Sequence, residues 1–156
     1  MISELLAPEL LVPELTATTK DEALAELAGR IAERHPDVER EHLLAVLRER
    51  ETQASTGLGD GVAIPHARLA GLDRMIAVFA RSTVGIDWDA PDGRPAHLVL
   101  LLAGPADQPG TYLKTLAGAS RLLREPARRD RLMNADANEI LAILRTEEGR
   151  NGAAAA

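Results

Sequence analysis

Residues 55–68 read STGLGDGVAIPHAR, and this stretch carries most of what the sequence predicts about the fold. Three glycines alternate with other residues, a short apolar run follows, and Pro65 and His66 stand together near the end. A proline has a fixed φ and biases the residue before it towards an extended conformation. We therefore expect a flexible turn, then a short strand, and then a histidine that leaves the strand in a defined direction.

Strand patterns continue after this stretch. We expect strands over residues 62–64, 75–81 and 97–103, and a short edge strand over residues 86–88. The segment 97–103 (HLVLLLA) is almost continuously apolar, which is typical of a central strand that is covered on both faces.

Helical patterns lie on both sides of the strands. Thr19 begins a capping box, TKDE, and so predicts a helix start, while Pro36 ends that helix and Asp37 is the expected cap of the next one. Three more helices are expected after the strands: one over residues 112–123, a short one from Pro126 to about Met133, and a last one capped by Asp136 or Asn138. The predicted fold class is α/β, a single layered domain with a small mixed central β-sheet flanked by helices. We expect this domain to span residues 1–148, with 149–156 as a loose C-terminal tail.

Composition limits the classes of function. The chain has 156 residues, a net charge of -6 and no cysteine. The charge argues against nucleic acid as a partner, and the missing cysteines exclude thiolate catalysis and thiolate zinc sites. The longest apolar run, 98–103, is too short to cross a bilayer, so we expect a cytoplasmic protein without membrane insertion. Because only 2% of residues are aromatic, no obvious interface anchor exists, and we expect a monomer or a weak dimer.

The glycine stretch fits neither common nucleotide-binding motif. Its spacing is GxGxG between a helix and a strand, whereas a dinucleotide site needs GxGxxG between a strand and a helix, and a P-loop needs a lysine. What remains is a backbone able to form an anion-binding nest, preceded by the hydroxyls of Ser55 and Thr56. The glycines concerned are Gly57, Gly59 and Gly61.

His66 has two interpretations at this point. A neutral imidazole next to N–H groups and arginines such as Arg50 and Arg68 can attack a phosphoryl group. Alternatively, the glycines form an ordinary tight turn and His66 only ends a strand. The residues alone leave both interpretations open.

The other histidines and the acidic turn do not indicate a metal site. His42 has valines one helical turn to either side, His35 is expected to be a solvated residue at a helix end, and His97 is expected to be structural. The spacing of the acidic residues in 87–93 (DWDAPDG) does not fit a calcium loop. We therefore expect no metal and no cofactor.

Two longer segments resemble one known family. Residues 48–69 (RERETQASTGLGDGVAIPHARL) and 85–108 (GIDWDAPDGRPAHLVLLLAGPADQ) are similar to enzyme IIA of the fructose, mannitol and nitrogen type of the phosphoenolpyruvate-dependent phosphotransferase system. The nitrogen-regulatory branch is the most similar. The helical flanks agree in length and order, so the resemblance covers nearly the whole chain.

The resemblance implies a phosphotransferase component that carries a phosphoryl group on a histidine. His66 is then the phosphorylated residue, and the donor is a small histidine phosphocarrier protein. Arg50, Ser55 and Thr56 are expected to line the phosphate site, and the backbone of 57–61 lets the donor approach. The next partner is a IIB component in the sugar-transporting branches, or a regulated target protein in the nitrogen branch.

One position departs from the family pattern. The family usually has a second histidine near the start of the helix after the apolar strand, where this chain has Tyr112 in PADQPGTYLKTL. A tyrosine hydroxyl donates a hydrogen bond but carries no positive charge at neutral pH. An alternative function is therefore a regulatory binding module that keeps the fold without cycling phosphate.

Overall fold

The computed structural model describes residues 2–155, with the side chains of residues 2–146 and of Glu148. The described residues form one mixed sheet of six strands with five α-helices packed around it. The strands are β1 (Leu11–Val12), β2 (Gly57–Gly59), β3 (Val62–Ala63), β4 (His66–Leu69), β5 (Ile76–Ile86) and β6 (Ala96–Pro105). The helices are α1 (Lys20–Arg34), α2 (Arg40–Gln53), α3 (Pro109–Arg124), α4 (Pro126–Asn134) and α5 (Ala137–Ala155), and short 3-10 turns cover Ile2–Leu5 and Pro8–Leu10.

β6 is the centre of the sheet. The strand order is β1-β5-β6-β3-β2, and β4 pairs with β6 beyond the end of β3. β5 runs antiparallel to β6, whereas β3 and β4 run parallel to it, one after the other along the same edge. All residues of β6 from Leu98 to Pro105 are buried, as expected for a strand covered on both faces. The predicted fold class is confirmed.

Two predicted helix caps are confirmed. The Thr19 hydroxyl accepts a hydrogen bond from the Glu22 N–H at 3.2 Å and begins α1. The Asp136 carboxylate accepts one from the Glu139 N–H at 2.9 Å and begins α5, so Asp136 is the cap, not Asn138. Both side chains satisfy N–H groups that have no partner inside the helix.

The prediction that Asp37 caps α2 is wrong. α2 begins at Arg40, after Glu39, whose side chain makes no capping bond. The Asp37 carboxylate instead accepts two hydrogen bonds from the Arg74 guanidinium, both at 2.9 Å. This two-point, charge-assisted pairing directs the carboxylate towards Arg74, and the helix starts three residues later without it.

The strand predictions are wrong at two places. The expected edge strand over residues 86–88 does not form, because β5 runs on to Ile86 and ends there, opposite Ala96. His66 does not leave a strand; it begins β4, which pairs with β6. The short strands β1 and β2 have no predicted counterpart, since two or three residues give too little pattern to detect.

α5 continues to Ala155, past residue 148, where the sequence predicts a loose tail. Residue 156 and the side chains of 149–155 lie outside the described residues, so the domain boundary at 148 stays a prediction. None of the described helices has both the length and the apolar character that crossing a bilayer requires.

Candidate functional site

His66 is held by its own backbone neighbourhood. It is the first residue of β4, lies opposite Leu102 of β6, and is partly buried. Its ring atom Nδ1 lies 2.8 Å from the carbonyl oxygen of Ile64. A carbonyl oxygen only accepts hydrogen bonds, so Nδ1 must carry the proton. Nε2 is therefore left with the lone pair, and the imidazole has the tautomer of a nucleophile.

The surroundings favour the neutral imidazole. Burial lowers the pKa of His66 below its usual value, and Arg50 and Arg68 lower it further by charge repulsion. The bond to Ile64 and the charge of Glu51 act in the opposite direction without reversing the shift. At neutral pH the Nε2 lone pair is thus available.

Two arginines supply positive charge beside His66. Arg50, in the last turn of α2, donates a hydrogen bond from Nη1 to the carbonyl oxygen of Ala54 at 2.8 Å. Arg68 is two residues after His66 in β4, so both side chains point to the same face of the sheet. Its guanidinium carbon lies 5.7 Å from the centre of the Tyr112 ring.

Tyr112 completes this group from the first turns of α3. Its ring centre lies 6.1 Å from that of His66, with 57° between the ring planes. The side chain is buried, and burial raises the pKa of the phenol to about 12, so Tyr112 is neutral at physiological pH. Sequence reasoning placed His66, Arg50 and Tyr112 at the site, and the structure places the Tyr112 ring next to both His66 and Arg68.

The hydroxyls of Ser55 and Thr56 are engaged within the fold. Ser55 Oγ donates to the carbonyl oxygen of Trp88 and accepts from the Gly57 N–H at 3.0 Å. Thr56 Oγ1 donates to the Glu51 carboxylate and accepts from the Trp88 indole N–H at 2.9 Å. A hydroxyl has one proton, so neither side chain has a donor left for a phosphate oxygen in this arrangement.

Glu51 belongs to this network, and sequence reasoning missed it. Its carboxylate also accepts from the Lys20 ammonium at 3.1 Å, which ties the end of α2 to the start of α1. Lys20 contacts Asp89 at 3.1 Å as well. In the sequence, the only indication of a role for Glu51 is its position directly after Arg50. It lies in a run of charged residues at a helix end, and nothing in that run distinguishes Glu51 from its neighbours.

The glycine stretch forms a β-hairpin. β2 and β3 are antiparallel, and Asp60 and Gly61 between them have φ of 56° and 79°. Two consecutive positive φ values define a type I′ turn, for which Asp-Gly is a preferred sequence, so the hairpin was detectable.

The Asp60–Gly61 turn and His66 lie beside different parts of β6. Val62 pairs with Leu98 and His66 pairs with Leu102, a separation of four residues or about 13 Å along β6. Gly59 and Gly61 therefore lie at the turn of the hairpin, away from the residue of β6 that pairs with His66, and their role in binding phosphate stays a prediction. Gly57 lies closer, opposite Ala63 in the register, and packs against Ala90.

The remaining histidines have local partners or lack metal-binding neighbours. His97 Nδ1 lies 2.9 Å from the carbonyl oxygen of Ser82, and His35 Nδ1 lies 3.0 Å from Arg74 Nη2. Within the part of the chain that the structure describes, no three His, Asp or Glu side chains are grouped so that they could hold a metal ion.

Comparison with known proteins identifies the family. The family model described as phosphoenolpyruvate-dependent sugar phosphotransferase system, EIIA 2, matches residues 4–147. The chain belongs to this family. The resemblance seen in the sequence is thereby confirmed, and His66 with its arginines lies inside the matched region.

EIIA relatives agree in sequence and in structure. The nitrogen regulatory protein of Bradyrhizobium diazoefficiens is 40% identical over 144 residues, which cover 92% of this chain and 94% of that protein. The crystal structure of nitrogen regulatory protein IIA-Ntr from Neisseria meningitidis has a TM-score of 0.85 and 32% identity, covering 92% of this chain and 98% of the other.

A more distant EIIA structure shares the fold alone. It is the complex of enzyme IIA for mannitol with phosphorylated enzyme IIB from Escherichia coli, with a TM-score of 0.77 and 21% identity over 90% of this chain and 97% of that one. The predicted similarity to the nitrogen-regulatory branch is confirmed by the first two relatives.

Proposed function

We propose that this EIIA protein accepts a phosphoryl group on Nε2 of His66 from a histidine phosphocarrier protein. The observation that carries the proposal is the 2.8 Å contact between His66 Nδ1 and the Ile64 carbonyl oxygen. That contact fixes the ring orientation and leaves only Nε2 free to attack. The family membership supports the same chemistry, since EIIA proteins are components of a phosphotransferase system.

The transfer is balanced without moving a proton between the two proteins. The Nε2 lone pair forms a new N–P bond, and the N–P bond of the donor breaks with its electron pair returning to the donor imidazole. A donor ring that is protonated on its other nitrogen leaves as neutral imidazole. The His66 ring keeps its proton on Nδ1, which donates a hydrogen bond to the Ile64 carbonyl oxygen. This hydrogen bond stabilises the positive charge that the ring gains.

Positive charge near His66 stabilises the transferred group. The three equatorial oxygens of the phosphoryl group share negative charge during transfer, and the positive charge of Arg50, at the end of α2, stabilises that negative charge.

Ser55 and Thr56 act indirectly in this proposal: their hydroxyls bind Trp88 and Glu51 and hold the segment that leads into β2. Gly57 permits the close packing on Ala90, and the turn at Asp60–Gly61 shapes the hairpin.

A nitrogen-related regulatory role fits the relatives better than sugar transport alone. The first relative is a nitrogen regulatory protein that the chain matches over nearly its whole length. The family and these relatives favour a phosphocarrier over the alternative of a binding module that does not cycle phosphate. The protein would work in the cytoplasm, with a IIB component or a regulated target protein as its next partner, and the mannitol IIA–IIB complex supports a partner of the first kind.

Intact mass tests the proposal. The protein is incubated with phosphoenolpyruvate, enzyme I and the histidine phosphocarrier, and its mass is compared with that of His66→Gln and His42→Gln variants. We expect one acid-labile phosphoryl group on the wild type and on His42→Gln, because His42 is exposed on α2, and none on His66→Gln. Uptake by His66→Gln, or no uptake by the wild type while a known enzyme IIA is modified, would refute the proposal.

A further inference from the structure

We propose that Arg68 binds the phosphoryl group carried by His66 and that the Tyr112 ring is the positioning residue for its guanidinium. The inference rests on the proposed function and adds a binding residue and its support to the same site. It starts from the placement of three side chains: the Tyr112 ring lies 6.1 Å from the His66 ring and 5.7 Å from the Arg68 guanidinium carbon.

The strand places Arg68 beside the acceptor. His66 and Arg68 are residues i and i+2 of β4, so both side chains leave the same face, with backbones about 7 Å apart. A phosphoryl group on Nε2 extends the histidine by a further bond. The arginine side chain is long enough to reach that group, and its planar guanidinium, which has five N–H donors, can pair with two phosphoryl oxygens at once.

An exposed arginine needs support to stay in one place, and Tyr112 provides it. Arg68 is exposed, and it forms no ion pair with any residue that the structure describes, so its charge is available to an incoming anion. A guanidinium within about 6 Å of an aromatic ring centre is attracted to the ring face. The buried Tyr112 ring has little freedom, so the attraction restricts Arg68 to the side of His66.

Gly104 explains how the ring fits there. In the β4–β6 register Gly104 lies directly opposite Arg68. A Cβ at Gly104 would lie 2.7 Å from Tyr112 Cδ2 and 2.4 Å from Met75 Sδ, which is closer than atoms can pack. The Tyr112 ring therefore fills the space above the strand that a side chain at 104 would take, next to Arg68. Residue 104 must be glycine for the ring to reach this position.

A role for the Tyr112 ring and a role for its hydroxyl predict different effects of substitution. If the ring acts as a platform, Tyr112→Phe keeps Arg68 in place, whereas Tyr112→Leu releases it. If the hydroxyl bound the phosphoryl group directly, Tyr112→Phe would lose the function. The geometry favours the platform, because the guanidinium lies over the ring.

The test compares the wild type with Arg68→Gln, Tyr112→Phe, Tyr112→Leu, the double variant Arg68→Gln/Tyr112→Leu and the control Arg145→Gln on the exposed side of α5. The rate of phosphoryl uptake from the phosphorylated carrier is measured for each folded variant. We expect Arg68→Gln and Tyr112→Leu to lose about tenfold or more, as for a charged hydrogen bond, and the double variant to lose no more than either one. Tyr112→Phe and Arg145→Gln should stay within about twofold of the wild type.

A second readout separates phosphoryl binding from a general loss of structure. The ³¹P NMR signal of phosphorylated His66, followed against pH, gives the pKa of the phosphoryl group. A bound guanidinium favours the dianion and lowers this pKa, so Arg68→Gln should raise it, Tyr112→Leu should raise it equally, and Tyr112→Phe should leave it unchanged.

The outcomes distinguish this inference from the proposed function. Failure of the wild type to take up a phosphoryl group overturns both. Normal uptake by the wild type with an unchanged rate and an unchanged phosphoryl pKa in Arg68→Gln overturns the role of Arg68 alone. A loss in Tyr112→Phe equal to that in Tyr112→Leu overturns the platform and assigns the function to the hydroxyl.

Discussion

The imidazole Nδ1 of His66 lies 2.8 Å from the carbonyl oxygen of Ile64, two residues earlier in the chain. The contact is local, so it needs no distant element to form. Pro65 lies between the two residues, and its fixed φ restricts the path of the chain there. The sequence Ile-Pro-His thus positions both the ring and the acceptor that fixes its tautomer.

The first prediction concerns the pKa of His66. We expect NMR titration to give a value below about 6.5, the usual value for a histidine, because burial and the two arginines disfavour the imidazolium. Arg50→Gln and Arg68→Gln should raise the pKa, and Glu51→Gln should lower it further. An elevated pKa in the wild type would contradict the electrostatic account of the site.

The same shift has a consequence for stability. A histidine whose pKa is lower in the folded state binds more protons when unfolded, so stability falls as the pH drops from about 6.5 towards the folded pKa. Above that window the contribution is absent. Comparing the free energy of unfolding of the wild type and His66→Gln across the window should show this pH-dependent loss in the wild type alone, once the parallel titration of the other groups is subtracted.

The buried network around Thr56 makes a stability prediction. Thr56→Val keeps the shape of the side chain but removes the acceptor of the buried Trp88 indole N–H and one of the donors to Glu51. We expect a loss of about 1–3 kcal/mol in the free energy of unfolding, the usual result of leaving buried polar groups unpaired. Denaturant titration followed by the fluorescence of Trp88, the one tryptophan of the chain, measures this loss. Thr52→Val on the exposed end of α2 is the matched control; an equal effect there would refute the network's contribution.

Gly104 should not tolerate a side chain. Gly104→Ala places a methyl group against Met75 and Tyr112, and we expect it to cost about 1–3 kcal/mol of stability, as overpacking does. Gly110→Ala is the control, because a Cβ there meets nothing within 4 Å. Thermal or denaturant unfolding of the two variants checks the prediction, and equal stability of both would show that the space above Gly104 is not filled as described.

A substitution in the hairpin turn tests whether the turn is separate from the phosphate site. Gly61 has φ of 79°, so Gly61→Ala should cost about 1–2 kcal/mol of stability. Its phosphoryl uptake should nevertheless remain close to that of the wild type, because the turn lies away from His66. A large loss of uptake in a variant that is still folded would restore the glycine backbone to the phosphate site.

Sequence patterns predicted the fold where they were long or had a chemical signature. The continuous apolar run of β6 and the Thr19 and Asp136 caps were all detectable. The short strands β1 and β2 were not, because their positions depend on pairing with distant residues. The Asp60–Gly61 sequence is typical of a hairpin turn, which the structure shows, and the anion-binding nest expected at these glycines stays a prediction.

The site shows the same division. His66 was indicated by its neighbours in the chain and by the family motif. The family motif also placed Tyr112 at the site, but the contact of its ring with Arg68 was not predicted, because it depends on how closely α3 packs on β6 at Gly104. The engagement of Ser55 and Thr56 was missed for the same reason: their partner Trp88 lies more than thirty residues away in the sequence.

The most direct measurement is the ring-nitrogen NMR spectrum of the protein labelled with ¹⁵N in histidine, recorded before and after phosphorylation by phosphoenolpyruvate, enzyme I and the histidine phosphocarrier. Before phosphorylation we expect His66 to carry its proton on Nδ1. After phosphorylation, the change expected of a new N–P bond should appear at Nε2 of His66 and at no other histidine. A signal change at Nδ1 of His66, or at a different histidine, would contradict the account.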